Sequence, residues 1–145
     1  MDKRTLEDIF PNLKGTPYQI TSPFDVDYNC IAWAAEDSNN WWEPDPFNQY
    51  FWPSGIGRHY SLRSYQQAYE LIGFQICESV AYNKLYDRIA LFSDIEGRPT
   101  HATRQLASGF WTSKLGRDVD IEHELHAIEG EFYGHVFCIM ERIKK

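Results

Sequence analysis

Arg88-Ile89-Ala90-Leu91-Phe92-Ser93, then Asp94-Ile95-Glu96-Gly97-Arg98-Pro99, Thr100-His101-Ala102-Thr103-Arg104-Gln105-Leu106 and Phe110-Trp111-Thr112-Ser113-Lys114-Leu115 decide the fold class. The first run is a short apolar strand rich in residues that pack well on a pleated surface. Asp94 to Pro99 is a turn, and the next two runs form a hairpin around Ser108-Gly109. The local order is therefore antiparallel. Side-chain alternation sets which residues share a face with His101. A two-residue turn puts Gln105 and Thr112 on that face and Ser113 on the opposite one; a bulge reverses the parity of the second strand.

Working outward, Phe74-Gln75-Ile76-Cys77 starts a strand and Tyr133 to Met140 supplies the last one. Asp118 or Asp120 caps a predicted helix running through about Ile128 and ended by Gly130. Upstream, Leu62, Tyr65, Tyr69 and Ile72 recur at helical spacing over Ser61 to Ile72, with Gly73 as the stop. Cys30 to Glu36 is an alanine-rich helix start with Asp27 or Asn29 available as cap. A short helix is expected near Thr5 to Phe10. Residues 1–27 otherwise read as an irregular lead-in carrying Pro11, Gly15, Pro17 and Pro23. Residues 38–60 are aromatic, broken by Pro44, Pro46, Pro53, Gly55 and Gly57, and read as a long ordered loop. Helices followed by an antiparallel sheet of about four to six strands make an α+β fold in a single domain, 1–145.

The 145 residues suffice to bury a core without a staple. Lys+Arg 14 against Asp+Glu 21 leaves a net charge of −7, which argues against nonspecific nucleic-acid binding and against an anionic membrane. The charged N-terminus has no apolar stretch of the signal-peptide kind, and no run approaches the roughly 20 residues of a membrane span. Three cysteines, Cys30, Cys77 and Cys138, show no paired spacing, so a reducing, cytoplasmic setting is expected. Aromatic residues make up 16% of the chain, and six of them crowd into Trp41 to Trp52.

Cys30 begins a helix, where unsatisfied backbone N–H groups can stabilise a thiolate or an oxyanion. His101 lies early in a sheet strand and is the candidate general base. Gln105 or Thr112 is the preferred third group, with Ser113 as fallback. Asn29, Trp41, Trp42, Tyr50, Trp52, Arg104 and Lys114 are the candidate substrate contacts, as groove walls or as an anion site. Cys77 and Cys138 read as core. His123 and His126, with Glu122 and Glu129 nearby, lack the i, i+4 zinc spacing, so no metal and no cofactor are expected.

The blocks Tyr28-Asn29-Cys30-Ile31-Ala32-Trp33-Ala34, Tyr50-Phe51-Trp52-Pro53, Pro99-Thr100-His101-Ala102-Thr103-Arg104-Gln105 and Trp111-Thr112-Ser113-Lys114-Leu115-Gly116 resemble an uncharacterised bacterial domain family. The match extends through Asp120-Ile121-Glu122-His123 and departs at Glu43, where another aromatic is expected. The order of elements is also similar to compact papain-like hydrolases of the NlpC/P60 type. That likeness implies a papain-like core and a thiol hydrolase or acyl transferase acting on an amide, ester or thioester of a peptide, protein or small molecule. The competing expectation is a noncatalytic protein-binding module that uses the aromatic loop 41–52.

Overall fold

A computed structural model describes residues 1–22 and 25–144, so Pro23 of the lead-in lies outside the described residues. In chain order the elements are α1 (Lys3–Ile9), a 3-10 turn (Pro11–Leu13), β1 (Gln19–Ser22), α2 (Cys30–Ala34), α3 (Leu62–Leu71), β2 (Gln75–Cys77), β3 (Tyr86–Ser93), β4 (Pro99–Gln105), β5 (Trp111–Lys114), β6 (Asp120–His123), a second 3-10 turn (Leu125–Ile128) and β7 (His135–Ile143). The strands form one seven-stranded sheet in the order β1-β6-β5-β4-β3-β7-β2, with every pair antiparallel. The molecule is mostly β with few helices.

Strand alternation divides the buried side chains into two layers. Ala90, Phe92, Trp111 and Ile121 pack with Leu6, Phe10, Leu13, Leu125, Ile128 and Tyr133 on one face. Ile89, Leu91, Ala102 and Met140 pack on the other with α2, α3 and the aromatic segment, through Ile31, Trp42, Trp52, Tyr65 and Tyr69.

Three expectations are corrected. The sheet has seven strands rather than four to six. β1 arises inside the supposed irregular lead-in, and it is added at an edge by pairing with β6. The predicted helix from Asp118 or Asp120 to Ile128 is instead β6 followed by a single 3-10 turn. The deciding pattern there is period two: Ile121 and His123 face one layer, and neighbours on both sides satisfy the backbone of 120–123.

The β4–β5 hairpin carries the consequential difference. Leu106 N–H donates to Phe110 O at 2.8 Å and Gly109 N–H donates to Leu106 O at 2.9 Å. Gly109 has φ 90°, so the loop has three residues, with a glycine in the left-handed position that this turn requires. Arg104 then faces Thr112 and Gln105 faces Trp111. Relative to a two-residue turn, the whole of β5 is shifted by one. Ser113 joins the layer of His101 and Thr112 the opposite layer.

Candidate functional site

Cys30 is the first residue of α2. Asn29 caps that helix by accepting from the Ala32 N–H at 3.1 Å. The same side chain clamps Trp42, accepting from its N–H at 3.1 Å and donating to its carbonyl at 2.7 Å. Asn29 is thus buried and committed internally: it fastens the aromatic segment to the helix start and is not free to meet substrate. Part of the Cys30 surface reaches solvent, but the sulfur is crowded, and burial pushes its thiol up to about 11. The Ala102, Ile31 and Cys30 backbone N–H groups and the nearby Lys114 charge oppose that shift without cancelling it.

The Ala102 N–H belongs to the peptide that links it to His101, so the sulfur lies beside the strand carrying the candidate base. The His101 side chain, however, turns into the other layer. It is fully buried at 0% exposure, stacked on Tyr133 with centroids 4.0 Å apart and met edge-on by Phe92 at 5.4 Å. Among the described residues no hydrogen bond joins Cys30 to His101. Burial holds the imidazole neutral, well below the ordinary histidine range, with the neighbouring His123 acting in the same direction. Tyr133 reaches this place because Gly134, at φ 74°, lets the chain pass where a Cβ would lie 2.0 Å from the Ser93 carbonyl oxygen.

His101 Nε2 lies 2.9 Å from Ser113 Oγ. Ser113 is therefore the group beside the imidazole, and the preferred candidates are displaced. The one-residue shift in the hairpin turns Thr112 to the helix layer, where it accepts from Trp33 Nε1 at 3.1 Å. Gln105 shares the parity of His101 but donates from Nε2 to the Val80 carbonyl at 2.9 Å. Ser113 Oγ also lies 2.9 Å from Thr103 Oγ1 and 2.7 Å from His123 Nε2. His123 Nδ1 in turn meets the Glu124 carbonyl at 2.7 Å. His101, Thr103, Ser113 and His123 are all fully buried, and among the described residues His101 Nδ1 has no partner.

The cations are also engaged. Arg104 lies over the Trp33 ring at 4.4 Å and pairs with Glu36 at 3.1 Å. Lys114 is buried, donates to the Asp118 carbonyl and lies 5.4 Å from the centre of the Tyr28 ring. Lys114 is close enough to Cys30 to act on its charge; Arg104 is held at the other end of α2.

The aromatic segment divides. Trp42 and Trp52 are core, with Trp42 Nε1 donating to Asp37 at 2.8 Å and Trp52 Nε1 to the Gly57 carbonyl at 3.1 Å. Trp41 and Tyr50 are half-buried and face each other at 6.1 Å. Phe47, at 79% exposure, and Phe51 stand in solvent. Arg58 organises the segment, donating to the carbonyls of Glu43, Asp45 and Tyr50 and to the side chains of Asp45 and Asn48. Glu43, the departure from the aromatic pattern, accepts from Trp41 Nε1 at 3.1 Å and from the Tyr60 hydroxyl at 2.5 Å.

His123, Thr103 and Tyr133 were absent from the sequence-based candidates for catalysis. The alternation Val119, Ile121, His123 was the signal for the first of these. His123 and His126 part company: the first is sealed, while the second is exposed and contacts Glu129 at 2.9 Å. Among the described residues no group of three or more His, Cys, Asp or Glu side chains could hold a metal ion, and no helix is long and apolar enough to cross a membrane.

No curated protein and no solved structure matches the chain, so nothing in the comparisons supports a likeness to papain-like hydrolases. One family model, described as a domain of unknown function, matches residues 19–141. That span runs from β1 almost to the end of β7 and includes Cys30, His101, Ser113 and His123, so the chain belongs to the DUF7689 family.

Proposed function

We propose that the protein is a cysteine-dependent hydrolase or acyl transferase acting on an amide, ester or thioester, with a papain-like placement of Cys30 and His101 and Ser113 as the orienting group. One observation carries this reading. Among the described residues His101 Nδ1 has no partner while Nε2 is tied to Ser113, and the backbone N–H of the next residue, Ala102, points at the Cys30 sulfur. A general base needs one unprotonated ring nitrogen and a tether on the other.

Both groups rest uncharged: Cys30 is a protonated thiol and His101, in the other layer, a neutral imidazole. The proton therefore moves during attack and not before it. The Cys30 sulfur bonds to the carbonyl carbon as its proton passes to His101 Nδ1, a transfer that requires the His101 ring to leave the other layer and come within reach of the sulfur. The oxyanion finds its nearest donors in the N–H groups of Cys30, Ile31 and Ala102. Collapse expels the leaving group with that proton and leaves a thioester on Cys30. Water or an acceptor nucleophile then releases the acyl group. The three unpaired cysteines fit a reducing compartment such as the cytoplasm.

The test is acyl transfer from p-nitrophenyl acetate and from a phenyl thioester, with the modified residue mapped by peptide mass spectrometry. Acetylation of Cys30 in wild type, lost in His101→Gln, is the expected result. Absence of an adduct at Cys30, or one indifferent to His101, overturns the reading.

A noncatalytic protein-binding module is the second reading, favoured by the exposed Phe47 and Phe51 beside two buried tryptophans. In that case Phe47→Ala impairs partner capture and Cys30→Ala does not.

A further inference from the structure

Each proton in the buried chain behind His101 can be located by hydrogen-bond accounting. The Glu124 carbonyl can only accept, so His123 Nδ1, 2.7 Å away, carries a proton. His123 is neutral, because burial pulls its pKa down to about 4, so its Nε2 is a bare acceptor. Two hydroxyls come near that nitrogen, Ser113 at 2.7 Å and Thr103 at 3.4 Å. The Thr103 hydroxyl is already given to the Thr112 carbonyl at 2.7 Å. The Ser113 hydroxyl has two acceptors besides His101, Thr103 Oγ1 at 2.9 Å and His123 Nε2 at 2.7 Å. Thr103 is already satisfied through its own donated bond, whereas His123 Nε2 would be left a buried acceptor without a donor, so Ser113 donates to His123.

A hydroxyl has one proton, so Ser113 has none left for His101. The 2.9 Å contact from Ser113 Oγ to His101 Nε2 is consistent only with His101 donating from Nε2. The lone pair of His101 is thereby left on Nδ1, the atom without a partner. Direction is imposed along the whole chain by a backbone carbonyl at its far end.

We infer that His123 is a positioning residue: acting through Ser113, it holds His101 in the tautomer that leaves Nδ1 free to take a proton. The inference rests on the proposed thiol chemistry for its purpose, but its physical content is a tautomer that can be observed without any activity. Replacing His123 by an apolar residue frees the Ser113 hydroxyl to donate to His101 Nε2, in competition with Thr103 Oγ1 at the same 2.9 Å. The proton of His101 then moves to Nδ1, and the base is lost with the imidazole still in place.

The experiment is long-range proton–nitrogen NMR of the histidine rings in uniformly ¹⁵N-labelled protein at pH 7. In wild type, His101 is expected to be protonated on Nε2 and His123 on Nδ1. In His123→Leu the His101 signals shift to the other tautomer or to a mixture, and the Cys30 acylation rate falls about 10²-fold, the contribution of a general base. His123→Gln, whose side-chain carbonyl can accept from Ser113, restores the wild-type tautomer and most of the rate. A wild-type His101 protonated on Nδ1 overturns the inference without any variant, even where His123→Leu fails to fold. An unchanged His101 tautomer in folded His123→Leu also overturns it. Absence of Cys30 acylation in wild type with the expected tautomers overturns the proposed chemistry and leaves the proton order standing.

Discussion

Two parts of the molecule concentrate its unusual residues, and they are held in opposite ways. The aromatic segment, residues 38–60, has little regular structure and is organised from its surface by one cation, Arg58, while Trp42 and Trp52 point inward as apolar ballast. The strip His101–Thr103–Ser113–His123 lies within three adjacent strands. It is sealed from water and organised from inside by hydroxyls and imidazoles that satisfy one another. Removing a ring from the first leaves a hole. Removing an atom from the second leaves a polar group stranded in a low-dielectric interior, where it cannot find water. An excess of aromatics thus marks where bulk is needed, and a short alternation of small polar residues marks where direction is needed.

Four measurements break or sharpen that contrast. Trp52→Ala has the largest expected effect, a loss of roughly 3–5 kcal/mol in chemical denaturation, since the ring packs on Tyr65 in the helix-side core. A loss below about 1 kcal/mol would mean that the segment is a detachable flap and not core.

Acid distinguishes the strip from the segment. His123 has its folded pKa lowered to about 4 from 6.5, and His101 is lowered well below its usual range. The unfolded chain therefore binds protons that the folded chain refuses. The neutral pair's contribution is complete above about pH 6.5 and drains away as pH falls towards 4, with His123 alone worth about 3 kcal/mol. Thermal melts between about pH 7.5 and 4.5 should show the slope. Phe47→Ser should share it, and a flat profile removes the neutral strip.

Thr103→Val keeps the shape but strips the hydroxyl from the Thr112 carbonyl; about 1–3 kcal/mol should be lost by urea denaturation. A neutral outcome would mean that water replaces the hydroxyl, which the sealed-strip picture forbids. The smallest effect belongs to Phe47→Ser. At 79% exposure its substitution should stay within about 0.5 kcal/mol, and any larger loss gives the loop tip a packing role.

Legibility in the sequence followed the same division. Period-two runs exposed β3, β4, β5 and β7, and the tyrosine spacing of α3 exposed that helix. Cys30 at a helix start and His101 on a strand were readable from caps and patterning. The segment 118–128 was misread because an aspartate before an apolar run serves equally as a helix cap or as a strand end, and only pairing with both β5 and β1 settles the matter. Ser113 ranked behind Gln105 and Thr112 as the neighbour of His101 because side-chain parity depends on loop length, which propensity does not encode. His123 was weighed as a metal ligand with His126, a helical pairing that vanishes once residues 120–123 are extended.

The three-residue loop at Ala107-Ser108-Gly109 has a consequence for how this chain can vary. Substitutions at the tip act locally. A deletion or insertion of one residue acts like a half-turn of a key, rotating β5 about its own axis. Ser113 and Trp111 would leave the layer of His101 for the helix side, and the buried Lys114 would be driven among Phe92, Ile121 and Tyr133. Length at this remote, solvent-facing turn is therefore as tightly constrained as the identity of any residue in the strip, and chains that keep the buried proton order must keep the count.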